Sequence, residues 1–145
     1  MRQKGLSHSF GDVVCFIDDD VYCEQTWLES ITRTFRRESK VVGITGPTIV
    51  TEEYTKNRDI FKYDLFRRIH DRLFLGNLRF VPSRLSKCGC PSMASNVLDL
   101  EINYTMQCDY LEACNMSVRR KEALDAGGFD EVYIGTSEWC ELDLA

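Results

Sequence analysis

Zinc-binding patterns are missing from this sequence. It has only two histidines, and none of its seven cysteines belongs to a CxxC pair, so a structural zinc site is not expected. No apolar run approaches the roughly 20 residues that span a bilayer, so any membrane contact should be peripheral. No signal peptide is evident, and the cysteines therefore indicate reduced thiols of a cytoplasmic protein.

Low-complexity tracts and internal repeats are missing as well, which excludes a disordered or repeat protein. The composition, with 43% hydrophobic and 28% charged residues, is ordinary for a globular chain. A chain of 145 residues is long enough to bury a sizeable core. We therefore expect one domain spanning residues 1–145.

Charge is unevenly distributed along the chain, whose net charge is -5. Residues 56–87 contain nine basic and three acidic side chains, whereas the segment from Asp99 onward contains eleven acidic and three basic ones. No nucleic-acid-binding motif accompanies the basic block, so no nucleic-acid partner is expected. The block overlaps a predicted amphipathic helix over 58–75, which fits either a solvated helix face or peripheral contact with an anionic membrane.

The hydrophobic pattern predicts an α/β fold with a mostly parallel sheet flanked by helices. Residues 12–17 read as a buried strand, 24–39 as a helix and 41–45 as a second strand, which is a βαβ unit. Further along, we expect an irregular excursion or hairpin over 79–100 and strands near 107–111 and 115–118. A short helix over 119–126 should be closed by Gly127 and Gly128.

Three consecutive carboxylates, Asp18, Asp19 and Asp20, end the first strand. Like charges at this spacing repel unless a cation lies between them, and oxygen ligands favour hard cations such as Mg²⁺ or Mn²⁺. Ligands bind beyond the carboxyl ends of strands in open sheets, so the triplet predicts a metal-held phosphate. A solvated turn and the nucleophile of a haloacid dehalogenase-type phosphatase remain alternatives.

Four pieces of the sequence then occur in the order seen in one enzyme family. They are a turn formed by RQKG at 2–5, GDVVCFIDDDV followed by WLE, the CNMSVRR and GGFDE block within 110–131, and the acidic cluster in SEWCELDLA. In this order they resemble the family 2 glycosyltransferases. The resemblance implies a GT-A (nucleotide-diphospho-sugar transferase) fold, here expected to be incomplete at the N-terminus and cut short at the C-terminus.

The resemblance also implies roles for individual residues. Asp18, Asp19 and Arg2 are expected to bind the donor. Asp20 and Asp18 are expected to bind the divalent cation, Mn²⁺ or Mg²⁺. Sugar and acceptor binding falls to Asn115, Arg119, Trp139 and Asp143. The general base is Glu141 or Glu138, because Cys140-Glu141 stands where the family has Glu-Asp.

By the same resemblance, residues 1–50 form the donor and metal half, 51–106 a variable acceptor-side region and 107–145 the acceptor and base block. The expected reaction is an inverting transfer from a UDP-, GDP- or dTDP-sugar to a polysaccharide, glycolipid or glycoprotein acceptor, in the cytoplasm or at the inner face of the cell membrane. A non-catalytic remnant is one alternative. A phosphatase is disfavoured because no later G-D-x-x-x-D pair follows. The oligomeric state and the donor sugar are left open.

Overall fold

The computed structural model describes residues 2–49, 69, 72–73, 81–89, 91–92 and 105–130. The chain divides into two compact units, one formed by 1–46 with 111–145 and the other by 47–110. Each unit is considered by itself below. Within the described residues, no helix is long and apolar enough to cross a membrane.

The first unit contains a three-stranded sheet formed by β1 (Val13–Ile17), β2 (Gly43–Thr45) and β3 (Asn115–Arg119). The strand order is β1-β3-β2, and β3 is antiparallel to both neighbours. The predicted mostly parallel sheet is therefore not confirmed: β1 and β2 run in the same direction, but the antiparallel β3 lies between them. Their partner comes from far along the chain, where a local pattern of apolar residues carries no information about pairing.

Among the described residues of this unit, three helices accompany the sheet: α1 (Arg2–His8), α2 (Trp27–Arg37) and α3 (Arg120–Asp125). The expected helices over 24–39 and 119–126 are confirmed, with slightly shorter bounds. The turn predicted at residues 2–5 is instead part of α1. Only Leu6 of this short helix is buried, so the sequence shows too few apolar positions to reveal a helical period.

One face of the sheet packs against α1 and α3. The core on this side contains Leu6, Met116, Val118, Ala123 and Phe129, all with at most 7% of their surface exposed. Val14 and Phe16 of β1 pack against this cluster because they pair with Val118 and Met116, and paired residues share a face. Phe16 and Phe129 meet edge to face with ring centres 5.4 Å apart.

The opposite face of the sheet lies against α2. Asn115, Ser117 and Arg119 alternate with the core residues of β3, so their side chains point to this side. Trp27 at the start of α2 contacts Asn115, and the backbone at its end contacts Arg119. The apolar stripe of α2 buries Ile31 and Phe35. The two ends of α2 are thus both tied to the central strand.

The glycine pair after α3 adopts left-handed backbone conformations, as predicted. Gly127 has φ 108° and Gly128 has φ 72°, and the Gly128 N–H donates to the Ala123 carbonyl at 2.9 Å. A Cβ on Gly128 would overlap the carboxamide of Gln3, whose Oε1 accepts the Phe129 N–H at 2.8 Å. The missing side chain lets α1 bind the loop that follows α3.

The described part of the second unit consists mainly of irregular backbone held by side chains. Leu85 and Pro91 form an isolated antiparallel bridge, which fits the hairpin expected within 79–100. Asp109 accepts the Leu85 N–H at 2.9 Å and pairs with Arg84 at 3.1 Å. The strand predicted near 107–111 is not formed. Of the helix predicted over 58–75, nearly all residues lie outside the described part of the chain.

Candidate functional site

The carboxyl ends of β1 and β2 meet the amino end of β3 at one edge of the sheet. Ile17, the last residue of β1, pairs with Asn115, and Thr45, the last residue of β2, pairs with Met116. Asp18 and Gly46 follow those two strands directly. The topology therefore brings the acidic triplet, Gly46 and Asn115 to the same edge.

The acidic triplet forms an exposed turn. The Val21 N–H donates to the Asp18 carbonyl at 3.3 Å, and Asp18, Asp19 and Asp20 are all exposed. Arg2, at the start of α1, places a guanidinium nitrogen 3.5 Å from Asp18 Oδ1. The contact is long, and the Asp18 side chain is 46% exposed, so it is a weak, solvent-screened ion pair. Arg2 nevertheless brings positive charge to the triplet.

The exposed carboxylate oxygens of this turn are of the donor type that a hard divalent cation takes. In the described part of the chain, no three His, Cys, Asp or Glu side chains form a group that could hold a metal ion. Mg²⁺ does not need three such side chains, because it commonly takes one or two carboxylates and completes its coordination with water and substrate phosphate. The exposed carboxylates of Asp18 and Asp20 offer that donor set on a side open to solvent.

Asn115 lies at the same edge with its side chain fixed. The Trp27 indole Nε1 donates to Asn115 Oδ1 at 3.0 Å. On its other side, a Cβ built on Gly46 would come within 2.9 Å of Asn115 Nδ2. The sequence drew attention to Asn115, but it did not reveal Trp27 as its partner, because the two residues are 88 positions apart.

The backbone of Asn115 is also held in place. Thr45 Oγ1 donates to the Asn115 carbonyl at 2.9 Å and accepts the Glu112 N–H at 3.0 Å. The Asn115 N–H donates to the Glu112 carbonyl at 3.0 Å. These bonds join the end of β2 to the turn before β3. No motif in the sequence indicates this role for Thr45.

Arg119, predicted to line the sugar pocket, lies at the other end of β3. Its guanidinium donates to the carbonyl oxygens of Val41, Phe35 and Glu38 at 2.8, 2.7 and 3.3 Å. Phe35 belongs to the last turn of α2, where carbonyl oxygens lack intrahelical partners. These contacts favour a structural role for Arg119, while its predicted role in sugar binding stays a prediction.

The remaining predicted site residues, Glu138, Trp139, Glu141 and Asp143, lie outside the described residues.

Comparison with known proteins supplies the family. The family model for glycosyl transferase family 2 matches residues 1–89, a range that contains α1, β1, α2 and β2. The chain therefore belongs to glycosyltransferase family 2. Membership implies a GT-A fold.

One curated relative is the glucosyl-dolichyl phosphate glucuronosyltransferase of Haloferax volcanii. It is 31% identical over 65 residues, which are 45% of this chain and 20% of the relative. The chain thus matches about a fifth of that enzyme's length. No solved structure matches the chain.

Proposed function

We propose that this glycosyltransferase moves a sugar from a nucleoside-diphosphate donor to a hydroxyl group, using a divalent cation held by Asp20 and Asp18. The observation that carries the proposal is the sheet edge itself. Three exposed carboxylates follow β1, Asn115 lies at the same edge as the partner of Ile17, and the Arg2 guanidinium contacts Asp18. Family membership supplies the reaction class, and this edge supplies a place for the donor diphosphate.

The proposed chemistry divides between the cation and the side chains. When bound, Mn²⁺ or Mg²⁺ neutralises the leaving diphosphate as a Lewis acid. Asp20 and Asp18 hold the cation, Asp19 contributes to the donor site, and Arg2 adds a positive charge for the nucleotide. Asp18 must then exchange its weak pairing with Arg2 for the cation.

On the acceptor side, Glu141 or Glu138 removes the proton from the attacking hydroxyl. A single direct displacement of this kind inverts the configuration at the sugar carbon. Asn115, Trp139 and Asp143 line the sugar and acceptor pocket. The block 107–145 thus supplies the acceptor groups and residues 1–50 the donor groups, with residues 51–106 selecting the acceptor.

A lipid-linked acceptor is the most specific candidate. The relative named above acts on a glucosyl-dolichyl phosphate, as its name states. The basic segment over 56–87 suits a membrane with anionic lipids, which would place the enzyme in the cytoplasm at the inner face of the membrane. UDP-, GDP- and dTDP-sugars are all candidate donors.

The test is calorimetric titration of UDP into the full chain, with and without Mn²⁺. Wild-type protein should bind UDP only with the cation, and Asp20→Asn should weaken binding by at least about tenfold, since it removes one charged ligand. Asp12→Asn is the matched control, because Asp12 is exposed near the other end of β1 and should not matter. GDP and dTDP, run in parallel, identify the preferred base.

Two results would overturn the proposal. If wild-type protein binds none of the three nucleotides with Mn²⁺, the chain is a non-catalytic remnant. If Asp20→Asn and Asp18→Asn bind the nucleotide and cation as tightly as wild type, the cation is held elsewhere.

A further inference from the structure

We infer that Trp27 is a positioning residue: its indole N–H fixes the carboxamide of Asn115 so that the amide nitrogen serves as a hydrogen-bond donor to the nucleotide-sugar. The inference rests on the proposed donor site at this edge of the sheet. It adds a residue on α2 whose part in that site no motif indicates.

The chemistry of the two side chains determines the orientation of the amide. An indole N–H only donates, so the atom that accepts it must be the carbonyl oxygen of the Asn115 amide. The other end of the amide is then the NH₂ group, which only donates. Within the described residues, Nδ2 has no hydrogen bond to a protein acceptor, so its donor capacity is available to a ligand.

The hydrogen bond from Trp27 determines the side-chain torsions of Asn115, because the other neighbours of Asn115 hold only its backbone or provide space. Its backbone is held from both sides, by the Thr45 hydroxyl on its carbonyl and by the Glu112 carbonyl on its N–H. Gly46 provides the space for the amide, because a Cβ there would lie 2.9 Å from Nδ2. Without the indole N–H, the carboxamide can rotate or flip at little cost.

The charge of the edge explains why such a donor is useful. A carboxylate accepts hydrogen bonds and donates none, so Asp18, Asp19 and Asp20 offer no donor to a phosphate or sugar oxygen. The neutral amide of Asn115, at the same edge of the sheet, offers a hydrogen-bond donor. It adds no net charge, so the electrostatic attraction of the aspartates for the cation is unchanged. The ligand chemistry is therefore an oxygen of the diphosphate or of the donor sugar.

The test combines indole NMR with binding. The chain has two tryptophans, so its ¹⁵N-labelled indole spectrum contains two signals. The Trp27 signal is the one that disappears in Trp27→Phe. It is also the one that remains in Trp139→Phe. Asn115→Ala should shift the Trp27 signal. Adding UDP and Mg²⁺ to wild-type protein should also shift the Trp27 signal, because the ligand accepts a hydrogen bond from the NH₂ group of the same amide. This titration requires no folded Trp27 variant.

Binding then separates positioning from simple packing. Trp27→Phe keeps the ring and removes the N–H, and it should weaken UDP–Mg²⁺ binding about three- to tenfold, the effect of one neutral hydrogen bond. Asn115→Ala should weaken binding by a similar factor. The double variant should match Asn115→Ala alone, because Trp27 acts through that residue.

The outcomes distinguish this inference from the proposed function. If wild-type protein binds no nucleotide in the presence of the cation, both the proposed function and this inference are refuted. If wild-type protein binds but the Trp27 indole signal does not move, or Trp27→Phe binds as wild type does, the donor site stands and Trp27 only packs. Additive losses in the double variant would also refute a role exerted through Asn115.

Discussion

The guanidinium of Arg119 lies over the ring of Phe35, 5.0 Å from its centre, and donates to the carbonyl oxygen of the same residue at 2.7 Å. One side chain of the central strand thus provides a cation–π contact and satisfies carbonyl oxygens at the end of α2. The planar donor fork of arginine suits this task, and the compact ammonium of lysine does not.

We therefore predict that Arg119→Lys lowers the free energy of unfolding by about 1–3 kcal/mol, because two or more of these bonds are lost. Urea unfolding followed by circular dichroism measures the change. Arg33→Lys, on the exposed side of α2, is the control and should change stability little. Normal stability of Arg119→Lys combined with weaker donor-sugar binding would instead support the sugar-binding role.

Gly128 should tolerate alanine worse than Gly89 does. Both have similar positive φ angles, 72° and 80°, but only at Gly128 would a Cβ meet another group, the carboxamide of Gln3. Gly89→Ala should cost about 1–2 kcal/mol from backbone strain alone. Gly128→Ala should cost roughly 1 kcal/mol more, because the Gln3 bond to Phe129 is disturbed as well. Equal losses in thermal unfolding would show that the Gln3 contact contributes nothing.

The general base can be identified by a pair of matched substitutions. Glu141→Gln should lower turnover by about 10²–10⁴-fold, the usual contribution of general base catalysis, with UDP–Mn²⁺ affinity preserved. Glu138→Gln should then have a small effect. The reverse pattern assigns the base to Glu138, and unchanged turnover in both variants rules out a base in this cluster. Steady-state rates with a lipid-linked sugar acceptor provide the measurement.

Cys108 should react slowly with iodoacetamide. Burial raises the pKa of this thiol above its ordinary value, and Asp109 adds to the shift, while a backbone hydrogen bond and Arg84 oppose it. Alkylation requires the thiolate, so a raised pKa lowers the reactive fraction at pH 8 and the rate should climb as pH rises. The exposed Cys23 should be labelled before Cys108. Peptide mass spectrometry at pH 8 and 9.5 compares the two sites, and equal rates at pH 8 would contradict the prediction.

Local patterns predicted the elements of the first unit better than their pairing. The strands at β1, β2 and β3 and the helices α2 and α3 follow apolar periodicity and glycine caps, which are visible in short windows of sequence. The position of β3 between β1 and β2 depends on contacts between distant parts of the chain. The helix at residues 2–8 was missed because its single buried residue, Leu6, shows no period.

At the candidate site, the sequence likewise indicated individual residues but not the contacts between them. The acidic triplet is visible because charges follow a hydrophobic strand, and the family motifs pointed to Asn115. The motifs also pointed to Arg119, whose contacts with the backbone around the end of α2 no motif reveals. The roles of Thr45 and Trp27 depend on hydrogen bonds to Asn115. These bonds form only when β2, α2 and β3 have come together in the folded chain.

The central position of β3 has a consequence for how the protein is made. Within the described part of the chain, β1 and β2 pair only with β3, which leaves the ribosome after both of them. A nascent chain ending at residue 89, the limit of the family match, would carry β1 and β2 without β3. Closure of this sheet must therefore wait until β3 has been synthesised, and such long-range closure is intrinsically slow.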